Sequence, residues 1–184
     1  MQMRPEIQIQ SILKAMSDVV LPAVDPKNPL AQEQARLCMG MLSVMAAQLP
    51  RQFKFDCDEL ARLLDLSKTL QGLSSAKELA PTALQSLHQS DSIGKEVQLR
   101  AKADPSEVLD AVRALRASTS RVIQEAFSND ATGSKTGELQ RTILNVSKEQ
   151  ILRDRAWVIG QGWESDPKAV PPIDELISSA NKAS

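Results

Sequence analysis

The sequence predicts an all-α protein, an antiparallel bundle of five or six helices forming a single domain over residues 1–184. Three observations predict it. All ten prolines, at positions 5, 22, 26, 29, 50, 81, 105, 167, 171 and 172, fall where the apolar pattern starts or breaks, as expected when a proline inside a helix costs about 3 kcal/mol. Apolar residues make up 42% of the chain, yet it has three Phe, two Trp and no Tyr. The core must therefore be built from Leu, Ile, Val, Met and Ala, which suits helices better than strands. Apolar residues also recur at three- and four-residue spacing through most of the chain.

The elements follow in order. A first helix is expected from Pro5, suited to a first turn, to Leu21, with Ile9, Ile12, Leu13, Met16, Val19 and Val20 along one face. The corner Leu21-Pro22-Ala23-Val24-Asp25-Pro26 then turns the chain into a second helix over Leu30–Leu49. Its polar face is narrow (Glu33, Arg36, Ser43), so it reads as a central element with the first helix as its cover, and the hairpin as scaffold. A third helix is expected to start at Asp56, with Glu59 completing a capping box and Phe55 and Leu60 forming a hydrophobic staple. Leu60, Leu63, Leu64 and Leu70 continue its buried face.

Between Ser74 and Ala103 the pattern weakens: Pro81 opens a short helix through His88, and Ser90–Gly94 reads as a turn. Asp104-Pro105-Ser106-Glu107 combines an N-cap, a first-turn proline and a box glutamate, opening a helix to Phe127 that buries Val108, Val112, Leu115, Thr119, Val122, Ile123 and Ala126. Ser128–Thr136, small and polar, reads as a mobile loop. A last long helix covers Gly137–Ile159 on Leu139, Ile143, Leu144, Ile151, Leu152, Val158 and Ile159, and Gly160 and Gly162 end it. Pro171-Pro172 opens a short helix, and Ser178–Ser184 is expected to fray.

Charge and cysteine usage narrow the function classes. With 22 basic and 23 acidic side chains the formal net charge is −1, so no strong field attracts nucleic acid or anionic lipid. The longest uncharged run, Leu37–Pro50, spans 14 residues, short of the roughly 18 needed for a membrane helix. Cys38 and Cys57 have no paired spacing, so neither a disulfide framework nor a zinc site is expected, and a reducing cytoplasm fits best. No secretion signal is read at the N-terminus.

No catalytic constellation emerges, and neither a cofactor nor a metal is expected. Ala131-Thr132-Gly133-Ser134-Lys135-Thr136 fails as a phosphate loop: Ser134 separates Gly133 from Lys135, and a helix precedes it. His88, the one histidine, cannot form a two-histidine metal site; a general-base role would need a partner supplied by the fold. Cys38 lies on the apolar stripe of the second helix and reads as a core residue. Cys57 is a candidate thiolate near a helix start, but Asp56 and Asp58 flank and oppose that charge. Asp56, Asp58 and Glu59 form an acidic cluster that capping would largely explain. Arg113, Arg116 and Arg121, with Asp110 and Glu125, read as a solvated helix face. Trp157 and Trp163, bracketing Gln161, concentrate both tryptophans at one helix end, either closing the core or presenting an interaction surface. If a functional surface exists, these three residues and the adjacent loop are its first candidates.

The run Ile12-Leu13-Lys14-Ala15, then Val19-Val20-Leu21-Pro22-Ala23-Val24, then a helix rich in Ala, Leu, Val and Met ending at Gln48-Leu49-Pro50, resembles a family of small uncharacterised bacterial helical proteins. Members tend to be encoded beside aminoglycoside-phosphotransferase-like kinases and acyl-CoA dehydrogenases. The resemblance covers residues 7–50, carries no catalytic residue, and implies an accessory role near acyl or phosphoryl metabolism. Together these readings predict a non-catalytic accessory protein that binds a protein partner or itself. The alternative is a small-molecule-binding protein or enzyme with an acyl or other apolar ligand between its helices.

Overall fold

Proline and capping chemistry set most helix starts in the computed structural model, which describes residues 4–100, 103–130, 133 and 135–177. Pro5, Pro29, Pro81 and Pro105 each open a helix, where a missing N–H costs nothing. The helices are α1 (Pro5–Ala15), α2 (Leu21–Ala23), α3 (Pro29–Gln48), α4 (Gln52–Gly72), α5 (Ser74–Leu79), α6 (Pro81–Leu99), α7 (Pro105–Asn129), α8 (Gly137–Trp157) and α9 (Ile173–Leu176). No strand occurs among the described residues, so the expected all-α class holds. Among the described residues seven helices have six residues or more, close to the five or six expected. The described residues divide into two compact units, those within 1–52 and 154–173, and those within 53–153 and 174–184.

In the first unit α1 packs against α3, and α3 also meets a 3-10 turn at Ile159–Gln161. The first helix does not stop at Leu21. A π turn over Met16–Val20, in which the Leu21 N–H bonds to the Met16 carbonyl, carries it into α2. Pro22 has no N–H to contribute to a regular ladder, and a widened turn just before a proline is a common accommodation. Asn28 caps α3 by accepting from the Ala31 N–H at 3.1 Å.

The second unit holds the main core. Leu60, Leu64, Leu70, Leu87, Leu115 and Val122 are buried together in one cluster from α4, α6 and α7. Leu139 of α8 joins it. The helices α6 and α7 share the most extensive contact, and α5 packs against both.

The third helix starts at Gln52, four residues before Asp56, because a 3-10 turn at Leu49–Arg51 takes Pro50 in its own first turn and leads directly into α4. Asp56 and Glu59 therefore form no capping box, and Phe55 and Leu60 no staple. Ser90–Gly94 is not a turn but the middle of α6. There the Ser90 and Ser92 hydroxyls donate back to the Ser86 and His88 carbonyls, so these residues remain compatible with the helix. Gly94 permits close packing: a Cβ there would lie 3.1 Å from both Leu64 Cδ2 and Leu115 Cδ1.

The second predicted helix is the element that α1, α2 and the turn at Ile159–Gln161 all meet, as expected of a central helix, but it buries little of its apolar surface. In α3 only Val44 is buried, while Leu37, Met41 and Met45 are exposed, and so are Ile12, Val19 and Val20 in the helix expected to cover it. The last helix buries Leu139 but leaves Leu144, Ile151 and the following Val158 in solvent. The Asp104 box forms as expected: its carboxylate accepts from the Ser106 N–H and hydroxyl, and Glu107 accepts from the Asp104 N–H. Within the expected loop, Gly133 is left-handed (φ 68°), and Asp130 accepts from the N–H groups of Lys135 and Thr136. Ala131, Thr132 and Ser134 lie outside the described residues, as does the expected fraying at Ser178–Ser184.

Candidate interaction face

An extended run of unburied apolar side chains belongs to the first unit. Leu37, Met41, Met45 and Leu49 recur every fourth residue and are all exposed, Met41 to 62%. Four residues advance a helix by slightly more than one turn, so they form a gently slanting stripe. Other faces of α3 are occupied. Gln32 Nε2 donates to the Val24 carbonyl at 2.8 Å, tying α3 to the end of the first arm. Gln48 Nε2 donates to the Trp157 carbonyl at 3.0 Å, and a Cβ on Gly160 would sit 3.6 Å from Val44 Cγ2.

The segment after Trp157 is shaped to bring a second apolar group to the stripe. Gly162 adopts a left-handed conformation (φ 74°) that closes the 3-10 turn. Arg155 then grips Glu164 with two bonds of 2.8 and 2.9 Å. Those bonds hold the Glu164 carboxyl below the usual range. Between these fixed points Trp163 stands 76% exposed. It and Gln161 border a groove of about 470 Å³ whose other wall includes Glu33, Leu37 and Met41.

The structure thus brings Gln161 and Trp163 together and separates Trp157 from them. Trp157 is half-buried and lines a smaller hollow of about 160 Å³ with Val44, Ala156 and Ile173. His88 is exposed on α6, with Nδ1 3.1 Å from Gln71 Oε1. Cys38 is exposed beside the stripe rather than in a core. Cys57 is half-buried on α4, where burial first and the Asp56 carboxylate second push its thiol up. Arg116, read as part of a solvated face, reaches Glu59 at 2.8 Å.

Sequence reasoning missed a buried charge cluster in the second unit. Arg153 is 1% exposed, Glu59 3% and Asp58 6%. Arg153 Nη1 lies 2.5 Å from Glu59 Oε2 and Nη2 lies 2.8 Å from Asp58 Oδ2. Its guanidinium also stands over the Phe55 ring at 4.6 Å, an attraction of charge to the ring face. Arg62 binds Asp58 at 2.9 Å and Glu149 at 3.1 Å, and donates to the Leu176 carbonyl at 2.9 Å, holding the end of α9. Burial raises the Glu59 carboxyl, but the bonds from Arg153 and Arg116 outweigh it and bring it below the usual range. Asp58 Oδ1 and Arg153 Nε are buried without hydrogen-bond partners. One signal was available: Asp58 and Arg62 sit four apart on a helix.

Beside the cluster a groove of about 390 Å³ carries Arg62, Asp65, Thr69 and Glu149 on its walls. Each nitrogen of the Arg62 guanidinium already donates to a protein acceptor, and the other charged side chains on the walls, Glu59, Asp65 and Glu149, are carboxylates, which disfavours an anionic ligand. Among the described residues no cluster of three His, Cys, Asp or Glu side chains has metal-binding geometry. Nor is any helix among them long and apolar enough to cross a membrane. No family model, no curated protein and no solved structure matches the chain.

Proposed function

We propose that the chain is a non-catalytic interaction protein whose docking face is the α3 stripe together with Trp163. One observation carries this reading: four large apolar side chains in register, uninterrupted by charge from residue 37 to 50, lie exposed beside an exposed tryptophan. Isolated exposed apolar residues are ordinary, but a contiguous apolar patch with a tryptophan at its rim has the composition of a protein-binding site. The resemblance over residues 7–50 is compatible with an accessory role near acyl or phosphoryl metabolism. The alternative is an apolar-ligand site in the groove between Met41 and Trp163, whose volume of about 470 Å³ falls in the range of small-molecule pockets.

A photo-reactive benzoylphenylalanine in place of Met41 tests the reading in cells. The expected result is one or a few discrete protein adducts, a covalent dimer of the chain among the permitted products, that disappear when Trp163→Ala is added. Absence of any discrete adduct would overturn it. So would a stoichiometric acyl ligand in native mass spectra of the purified protein that is lost in Trp163→Ala.

A further inference from the structure

We propose that the first unit is an order–disorder switch, opening and reclosing as one cooperative piece while the second unit stays folded. The docking face then exists only in the closed form. Burial is shared very unequally between the units. Among the described residues, the buried apolar side chains of the first unit are Ile9, Val44, Ala156 and Val170, and all the others belong to the second. Every buried polar or charged side chain among them belongs to the second as well.

Ordering a residue costs about the same conformational entropy in either unit, and apolar burial is the main term that offsets it. The 20 residues of α3 bury one side chain and the 11 residues of α1 bury one. By contrast, the 21 residues of α4 bury nine. Helices as short as α1 and α3 are marginal in water by themselves, so they depend on packing that the first unit scarcely provides. Its hydrogen bonds do not make up the difference. Those from Gln32 and Gln48 are only part-buried and the Arg155–Glu164 pair is exposed, so water competes for them. Few buried contacts together with solvent-accessible bonds mark a region that opens without global unfolding.

Two glycines show the same contrast. Gly94 lets the second unit pack closely, since a Cβ there would lie 3.1 Å from two leucine methyls. Gly40 lies inside α3, one residue before Met41, and a Cβ there would meet nothing within 4 Å. It weakens the helix without permitting any close approach. On the reading of α3 as a docking face, whatever binds the closed form draws this equilibrium toward it, so docking and ordering of the first unit are coupled.

Native-state hydrogen exchange of the full chain, dilute and without a partner, over a series of low urea concentrations tests the switch. Amides of α1 and α3 are expected to converge on a single opening constant at least about a hundred-fold larger than that of α6 and α7, with a shallower urea dependence because less surface is exposed. Gly40→Ala is expected to lower that constant about three- to five-fold, in α1 as well as in α3, and to leave α7 unchanged. Val44→Ala is expected to raise it about ten-fold with the same distribution.

A common opening constant and urea slope for α3 and α7 would overturn the proposal, because the chain would then unfold in one step. Separate constants residue by residue in α1 and α3, with Gly40→Ala felt in α3 alone, would overturn it too, as fraying without a cooperative unit. Neither result bears on the photo-adducts at position 41, which test the docking face separately.

Discussion

Replacing Arg153 by Met keeps most of the side-chain volume and removes the one cation that serves both buried carboxylates. It deletes the contacts to Glu59 at 2.5 Å and Asp58 at 2.8 Å, the bond to Gln150 at 2.8 Å and the charge over Phe55. Arg116 and Arg62 remain, but the Arg116 side chain is 54% exposed and Arg62 is already divided among three acceptors. Breaking a buried pair from one side costs about 3–5 kcal/mol, because the surviving charge stays desolvated. That is a large share of the roughly 5–15 kcal/mol that holds a domain folded. Urea unfolding followed by circular dichroism should show the loss at neutral pH, with hydrogen exchange on α4 locating it.

Because Asp58 Oδ1 and Arg153 Nε are orphaned in the native cluster, the network is an expensive arrangement, and the triple variant Asp58→Leu, Glu59→Met, Arg153→Met should recover most of what Arg153→Met loses. Glu59 has a folded value below its unfolded one. Its pairing therefore stabilises the fold above about pH 4.3 and is lost as pH falls through the lower folded value. In Arg153→Met the stranded Glu59 takes up its proton earlier, so the gap between variant and wild type should narrow in acid. A loss under about 1 kcal/mol at neutral pH, or a triple variant weaker than the single one, would refute the account.

Other outcomes follow from single sites. Gly94→Leu should destabilise the second unit by about 2–3 kcal/mol in the same urea assay, since even a Cβ there would lie 3.1 Å from two leucine methyls. Cys57, half-buried with its thiol pushed up by burial and Asp56, should react with iodoacetamide at least about ten-fold more slowly in the folded chain than in urea. Equal rates would show that α4 opens on the labelling timescale. Asp104→Ala removes the carboxylate bonded by Ser106, which holds that carboxyl below its usual range. The variant should melt a few degrees lower at neutral pH, and the difference should vanish as acid protonates the wild-type carboxylate. A difference that persists in acid would assign the effect to something other than the cap.

Local chemistry was legible in the sequence, and partnership between distant residues was not. The Asp104 box and the start of α3 near Pro29 form as read because a cap and a first-turn proline act within four residues. Asp56-Cys57-Asp58-Glu59 looks equally like a helix start, but the turn around Pro50 has already carried the chain into α4. Arg153, 94 residues from Glu59, then makes a buried glutamate tolerable in mid-helix. Gly94 illustrates the same limit: between Ser90 and Ser92 a glycine reads as a turn until the methyl groups of Leu64 and Leu115 are placed against it. Of the candidate site, Trp163 and Gln161 were legible as a concentration of interaction-prone residues, whereas their meeting with Leu37 and Met41 depends on how the chain returns to α3.

The apolar pattern of α3 carried a different ambiguity. A helix with a narrow polar face reads as central because periodicity registers that apolar surface is to be covered and says nothing of what covers it. In this chain α1 and the turn at Ile159–Gln161 occupy two sides of α3 and leave the stripe from Leu37 to Leu49 open. The pattern that suggested a scaffold helix is therefore the same pattern that supports a docking face. Its two readings separate on one substitution. Met41→Glu in a covered core position would strand a charge and unfold the unit, whereas on an open face it should leave the melting transition of dilute protein within about 0.5 kcal/mol of wild type. A large loss of stability at concentrations too low for association would restore the core reading and remove the basis of the interface.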